Sequence, residues 1–314
     1  MNKRMIIHAG VHRTGTSYLQ SVLDINRKNL RQLGILYPKF DRSPNHNCFA
    51  KDINEKKDNI MEWVNLILNE MGSDTDTVII SAENLCESQS YDWLLAMQMF
   101  FDVELVIYLR RQDSWLESWY NQNIKWPWNN KFKSCTGDFF FNHRNDFHWL
   151  DYAKLLGDFS NVLGPDKIYI GVVENSGITD TTADFSNKYK LNLIMTASQK
   201  NESLTYAQIQ ILRHLDIILL DMDWVAKAKI ISVLQNLEIE EDDGSFYIFN
   251  DNQRALISNE FLASNILVAE KYFSRDYLFK DPIPANIKPV MISNSKIHTE
   301  YIPSIVRELA KSQK

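Results

Sequence analysis

Residues 4–20 read RMIIHAGVHRTGTSYLQ, a short apolar strand followed by a loop with two glycines and the start of a helix. The run from Met5 to Ala9 predicts the strand, and apolar residues at helical spacing begin at Tyr18. Where such a loop enters a helix, free backbone N–H groups meet the positive end of the helix dipole. The stretch therefore predicts a binding site for an anion.

The two glycines have the spacing of a phosphate loop, but the lysine of a nucleoside-triphosphate-binding loop is missing. Gly10 and Gly15 fit G-x-x-x-x-G, and Thr16 stands where that loop places its Lys. The cation lies inside the loop instead, as Arg13. The stretch indicates a phosphate loop adapted to a different donor, although on its own it also fits a strand–turn–helix corner of another α/β protein.

A second strand–helix corner follows later in the chain. Residues 105–109 form a continuous apolar run, typical of a strand buried in a parallel sheet, and the run ends at Arg110. Ser114 and Glu117 have the spacing of a capping box, which predicts a helix start at Ser114 and places Ser118 in its first turns. Arg110 and Ser118 could together bind a phosphate group. Alternatively, Arg110 pairs with a surface carboxylate and Ser118 is an ordinary helix residue.

Both corners resemble motifs of sulfotransferases that use 3′-phosphoadenosine-5′-phosphosulfate (PAPS). In the bacterial, carbohydrate-sulfotransferase-like branch the loop reads roughly G-x-x-K-T-G-T-T-x-L-Q, and residues 10–20 here read GVHRTGTSYLQ. Arg110 and Ser118 match the spacing of the family's 3′-phosphate site. The likeness continues more weakly through residues 26–38, 149–168 and 201–204.

The resemblance implies a P-loop-NTPase-like, three-layer α/β fold in which helices flank a mainly parallel sheet. It implies a sulfotransferase domain over residues 4–275, with the PAPS motifs in 4–125, a helical part from about residue 204 and a peripheral tail at 276–314. The alternation of patterns along the chain independently favours a parallel sheet. It predicts strands at 4–9, 77–82, 104–109 and 167–173, and helices at 15–33, 59–71, 91–100, 114–124, 148–160 and 180–189.

The implied reaction is in-line transfer of the sulfuryl group from PAPS to an acceptor hydroxyl, with 3′,5′-ADP (PAP) as product and no metal. A carbohydrate or glycoconjugate is the expected acceptor, and Arg13 is the expected cation on the leaving phosphate. No group of His, Cys, Asp and Glu has metal-ligand spacing. The residues expected to bind the donor are Arg13, Thr14, Gly15, Thr16, Ser17, Arg110, Ser118 and Lys200.

The acceptor hydroxyl needs a general base, and two residues are candidates for that role. Glu83 follows the predicted strand 77–82, and His46 lies in the loop after the first helix. A His with its usual pKa near 6.5 suits neutral pH, whereas a Glu needs a raised pKa or favourable hydrogen-bond geometry. Either residue could instead be structural. Its position at the end of a strand between the two phosphate motifs favours Glu83.

Two other functions remain open from the sequence. A P-loop kinase or NTPase would use the same loop, with Glu83 holding Mg²⁺, but it lacks the Lys after Gly15 and gives Arg110 with Ser118 no role. A noncatalytic binding protein with this fold would be favoured if one of the phosphate motifs were disrupted. Here the glycine loop and the Arg110–Ser118 motif are both intact. The rings between residues 115 and 149 could stack on a sugar or close a core.

Composition sets further expectations. The net charge of −6 argues against a nucleic-acid partner, and three scattered cysteines favour a reducing compartment. The first strand begins within about five residues of the start, which leaves no room for a signal peptide. No apolar run reaches the ~18 residues of a membrane helix. We therefore expect a soluble, cytoplasmic protein, whose oligomeric state the sequence does not predict.

Overall fold

A five-stranded parallel sheet is the centre of the fold in the computed structural model, which describes residues 3–55, 59–195, 203–219 and 223–311. The strands are β1 (Lys3–His8), β2 (Ile35–Leu36), β3 (Thr77–Ser81), β4 (Phe101–Arg110) and β5 (Ile168–Val173). They lie in the order β2-β3-β1-β4-β5, and each pairing is parallel. The carboxyl ends of β1, β3 and β4 therefore meet at one edge of the sheet.

Helices follow the strands and form most of the later chain. They are α1 (Thr16–Ile25), α2 (Arg27–Gln32), α3 (Asn47–Glu55), α4 (Ile60–Met71), α5 (Asp92–Gln98), α6 (Gln112–Lys125), α7 (Gly137–Asn142), α8 (Tyr152–Leu163), α9 (Thr181–Tyr189), α10 (Tyr206–Ile218), α11 (Trp224–Gln235), α12 (Asp251–Phe273), α13 (Asn294–Lys296) and α14 (Ile302–Lys311). The predicted α/β class, with a parallel sheet flanked by helices and a helical later part, is confirmed. In the part of the chain that is described, no helix is both long and apolar enough to cross a membrane.

The sheet is buried between helices, which explains its apolar sequence. All five residues of β3 are buried, as expected when both faces of a parallel sheet are covered. On one face Ile6, Ile79 and Val106 pack in a core cluster with Leu23 of α1 and Phe185 of α9. Helices α5 and α8 contact β4 as well. This packing fixes the strand ends from which the candidate site is built.

The described residues group into two compact units. The first contains the sheet and comprises residues within Met1–Arg111, Phe147–Gln199 and Phe261–Asp281. The second comprises residues within Gln112–Asp146, Lys200–Glu260 and Pro282–Lys314, and its regular elements among the described residues are helices.

Residues 282–311, which belong to the segment predicted as a peripheral tail, pack into the second unit. Ile297 and Ile305 are each about 1% exposed, and the side-chain amide of Gln210 donates a hydrogen bond to the carbonyl of Val290.

A buried charge cluster of Arg254, Asp113 and Glu117 lies in the second unit. Arg254 is 1% exposed and donates to Asp113 at 2.7 Å and to Glu117, which also accepts the backbone N–H of Ile248 at 2.8 Å. Burial raises the pKa of Glu117, an effect that Arg254 opposes. The predicted capping box is therefore wrong: α6 begins before Ser114, and Glu117 binds residues far along the chain.

Candidate functional site

The loop between β1 and α1 is held from both sides by neighbouring strands. On the β3 side, the N–H of Ala82 donates to the carbonyl of His8 at 3.0 Å. On the β4 side, the N–H of Val11 donates to the carbonyl of Tyr108 at 3.2 Å, and the N–H of Tyr108 donates to the carbonyl of Gly10 at 3.1 Å. The loop is thus fixed at the carboxyl edge of the sheet, where parallel α/β folds bind ligands.

Gly10 and Gly15 are required by both backbone conformation and space. Their φ angles are +83° and +86°, in the left-handed region that favours glycine. A Cβ on Gly10 would lie 3.0 Å from the Cα of Glu83, and one on Gly15 would lie 2.4 Å from Thr181 Oγ1. Gly15 is the N-cap of α1 and supplies no capping side chain. The start of α1 therefore presents main-chain N–H groups beside two exposed residues, Gly15 and Ser17.

The hydroxyl groups of Thr14 and Thr16 have partners within the protein. Thr14 Oγ1 donates to the carbonyl of Val11 at 2.6 Å, and Thr16 Oγ1 donates to Oε2 of Glu83. These two hydrogen bonds fix the loop and orient the carboxylate of Glu83. Binding of the donor by Thr14 and Thr16 stays a prediction.

Both predicted arginines of the first unit are at the loop. Arg13 has a left-handed backbone, with φ of 65°, and burial lowers its pKa while Glu83 opposes that shift. Arg110 Nη1 donates to the carbonyl of Arg13 at 3.1 Å, and the hydroxyl of Tyr152 donates to the carbonyl of Arg110 at 2.5 Å. The Arg110 side chain thus reaches from the end of β4 to the loop between β1 and α1.

Glu83 lies where chain order predicts, directly beyond β3 and against the loop. It begins a 3₁₀ turn at residues 83–87, and its side chain is 15% exposed. The structure therefore brings Glu83, Arg13, Arg110 and the start of α1 together at one edge of the sheet. A partly exposed carboxylate can take a proton there, while the cations and N–H groups can bind negative charge.

His46, the other candidate base, is a structural residue. It is 0% exposed, and its Nδ1 accepts the N–H of Ser81 at 2.9 Å. Because Nδ1 is an acceptor, Nε2 carries the proton and donates to the carbonyl of Pro38 at 2.8 Å. Burial lowers the pKa of His46 to about 4. With both ring nitrogens engaged in the interior, the imidazole cannot serve an acceptor hydroxyl.

Two further residues predicted to bind the donor, Ser118 and Lys200, lie elsewhere in the chain. Ser118 lies on α6 in the second unit, whereas Arg110 ends β4 in the first. Lys200 lies outside the described residues. Among the residues that are described, no three His, Cys, Asp or Glu side chains are grouped as metal ligands.

Two residues of the site were missed from the sequence, His12 and Glu87. His12 is 6% exposed, and its Nε2 lies 2.7 Å from Oε1 of Glu87. His12 occupies a position that the loop motif leaves open. The one available signal was that Glu83 and Glu87 both follow the end of a strand adjacent to β1.

Comparison with known proteins gives few matches. No protein-family model and no curated protein matches the sequence. A solved structure described as a sulfotransferase from Alicyclobacillus acidocaldarius is similar, with 12% sequence identity and a TM-score of 0.43. The alignment covers 87% of this chain and 96% of that chain.

Proposed function

We propose that this chain is a PAPS-dependent sulfotransferase of the bacterial, carbohydrate-sulfotransferase-like kind, acting in the cytoplasm. The observation that carries the proposal is the convergence of Arg13, Arg110 and Glu83 on the glycine loop at the start of α1. A phosphate loop without the usual Lys, but with two guanidinium groups and a carboxylate, is suited to a doubly phosphorylated donor and a hydroxyl acceptor.

The donor's 5′-phosphate would be held by the N–H groups at the start of α1, with Arg13 at the bridging oxygen. The sulfuryl group carries less charge than a phosphoryl group, so protein cations can stabilise the leaving phosphate without a metal. Arg110, at the end of β4, would bind the 3′-phosphate. PAP, which retains both phosphates, would be the product.

Glu83 would act as the base. As the acceptor oxygen forms its bond to sulfur, the acceptor O–H proton passes to the Glu83 carboxylate. The bond between sulfur and the donor's phosphate oxygen breaks, and its electron pair remains on that oxygen beside Arg13. The hydrogen bond from Thr16 to Oε2 fixes the carboxylate against the loop, which supports this role.

The acceptor we propose is a hydroxyl of a carbohydrate or glycoconjugate. An exposed aromatic ring in the second unit supports this choice. Trp224 is 70% exposed and stacks on Trp126, with ring centroids 5.2 Å apart. A flat exposed ring of this kind can pack against the apolar face of a sugar.

The proposal is tested by comparing how nucleotides raise the melting temperature. We expect 3′,5′-ADP to stabilise the protein and 5′-ADP to do so much less, since a ligand at about 100 times its Kd adds roughly 2.7 kcal/mol. The variant Arg110→Ala should lose the difference, whereas Arg307→Ala, on the exposed face of α14, should keep it. Equal shifts for both nucleotides, or a preference for Mg-ATP, would contradict the proposal and favour the kinase alternative.

A further inference from the structure

His12 lies between two carboxylates within the first unit. Its Nε2 is 2.7 Å from Oε1 of Glu87, and its Nδ1 is 3.9 Å from Oε2 of Glu83. The His12 side chain is 7% exposed, and each carboxylate is 15% exposed. The three groups therefore form a largely enclosed row whose Glu83 end is the proposed base.

The contact with Glu87 determines which ring nitrogen faces the base. An ionised carboxylate only accepts hydrogen bonds, so Nε2 of His12 carries a proton and donates to Glu87. Nδ1 is then the nitrogen directed at Glu83, and in the neutral ring it has a lone pair. The backbone of His12 is anchored by a hydrogen bond to Cys86, and the ring centroid of Trp149 lies 6.1 Å away.

Other charged groups surround this ring. Glu83 and Glu87 face it from the 3₁₀ turn, and Arg13 follows it in the loop. His148 also interacts with Glu87, and burial lowers the pKa of His148, which favours its neutral form. The ring of His12 is therefore flanked by two carboxylates, one of which is the proposed base.

We propose that His12 is a positioning and proton-relay residue that acts through Glu83; this inference rests on the proposed sulfuryl transfer. After Glu83 has taken the acceptor proton, its carboxyl group turns toward His12 and gives that proton to Nδ1. The resulting imidazolium lies between Glu83 and Glu87, and Glu83 is again an ionised base. The proton then leaves to solvent, so each turnover releases one proton overall.

The first test needs no activity. Long-range ¹H–¹⁵N NMR of the full chain identifies the protonated ring nitrogen of His12, with the signal assigned by its loss in His12→Asn. We expect the Nε2–H form in the native protein and a mixture of both tautomers in Glu87→Gln, because its amide can donate as well as accept. A native ring protonated on Nδ1 alone or on both nitrogens, or a tautomer that Glu87→Gln leaves unchanged, would overturn the proposed row.

The second test measures turnover and donor binding separately. We expect His12→Asn and Glu87→Gln each to lower kcat by at least about tenfold with 3′,5′-ADP affinity retained, and the double variant to lose little more. His298→Asn, at an exposed histidine of the second unit, should keep native kcat. Equal losses of affinity and kcat, or additive losses, would overturn the relay. If the native protein transfers no sulfuryl group, the proposed function fails, whereas the NMR result still decides the arrangement of the ring.

Discussion

The glycine loop between β1 and α1 and the Arg254 cluster both concentrate charge, but they differ in how their charged groups are paired. In the Arg254 cluster, the side chains of Arg254, Asp113 and Glu117 are 1%, 3% and 9% exposed. Arg254 donates to both carboxylates, and Glu117 also accepts main-chain N–H groups. Both carboxylates are thus paired with the guanidinium inside the cluster, which is how buried charges are retained in a stable core.

The glycine loop leaves part of its main chain exposed, at Gly15 and Ser17. Gly15 gives α1 no capping side chain. The side chain of Glu83 is 15% exposed, although Thr16 donates to it. Charged residues that form hydrogen bonds and ion pairs with one another thus contribute to stability. Similar residues beside an exposed helix N-terminus can instead bind a ligand.

The largest expected effect is on the Arg254 cluster. Arg254→Met keeps most of the side-chain volume but leaves Asp113 and Glu117 buried without their cation. Breaking a buried ion pair in this way costs about 3–5 kcal/mol, which urea unfolding measures. Arg307→Met, at an exposed position of α14, should change the free energy of unfolding by less than about 0.5 kcal/mol. A similarly small loss for Arg254→Met would remove the distinction between the two regions.

The next largest effect is expected for Arg13 in the loop, and it should lower the catalytic rate rather than the free energy of unfolding. Arg13→Ala should lower kcat by about 10²–10³, the usual cost of one preorganised group that stabilises transition-state charge. Binding of 3′,5′-ADP, measured by thermal shift, should weaken much less. Activity should also persist in EDTA. A variant that loses affinity but not kcat would make Arg13 an anchor for the donor only.

A somewhat smaller loss is expected at the proposed base. Glu83→Gln keeps an oxygen to accept the Thr16 hydrogen bond but removes basicity, so kcat should fall by about 10² with donor binding intact. Steady-state kinetics on a confirmed acceptor measures this change. Glu308→Gln, an exposed position on α14, is the matched control and should retain native kcat. Native turnover in Glu83→Gln would show that Glu83 is not the base.

Local patterns predicted the framework and the place of the loop. The predicted strands at 77–82, 104–109 and 167–173 correspond to β3, β4 and β5, because continuous apolar runs suffice to identify buried parallel strands. Glu83 was placed at the loop from chain order alone, since strand ends of a parallel sheet share one edge. The order of β1 between β3 and β4, which brings Glu83 and Arg110 to opposite sides of the loop, needed the structure.

Features that depend on distant partners were mispredicted. The helix predicted at 15–33 is divided at Asn26, whose side chain exchanges hydrogen bonds with the backbone of Ile194. His46 is held in the interior by hydrogen bonds to Ser81 and Pro38, and Glu117 is oriented by its hydrogen bond from Arg254. Spacing along the chain does not reveal such contacts, so it also could not show that the hydroxyl of Thr16 donates to Glu83.

The smallest expected effect concerns His46. Like the Arg254 cluster, it has its hydrogen-bond partners inside the protein, although it lies in the same unit as the loop. Its pKa in the folded protein is about 4, below the usual 6.5 that it regains on unfolding. Between these two pH values the unfolded chain binds a proton that the folded chain does not. Stability therefore falls as pH drops from 6.5 to 4 and does not change through His46 outside that window.

His46→Gln should remove this contribution, which amounts to about 1 kcal/mol between pH 6 and pH 5. His8, whose pKa burial lowers to about 3, should leave a similar pH dependence in the variant. Urea unfolding at the two pH values measures the difference, so a general loss of stability from substituting a buried residue cancels. His298→Gln, at an exposed histidine, should keep the native pH dependence. If His46→Gln keeps it as well, His46 is not held neutral by burial, and its exclusion as a base loses its physical ground.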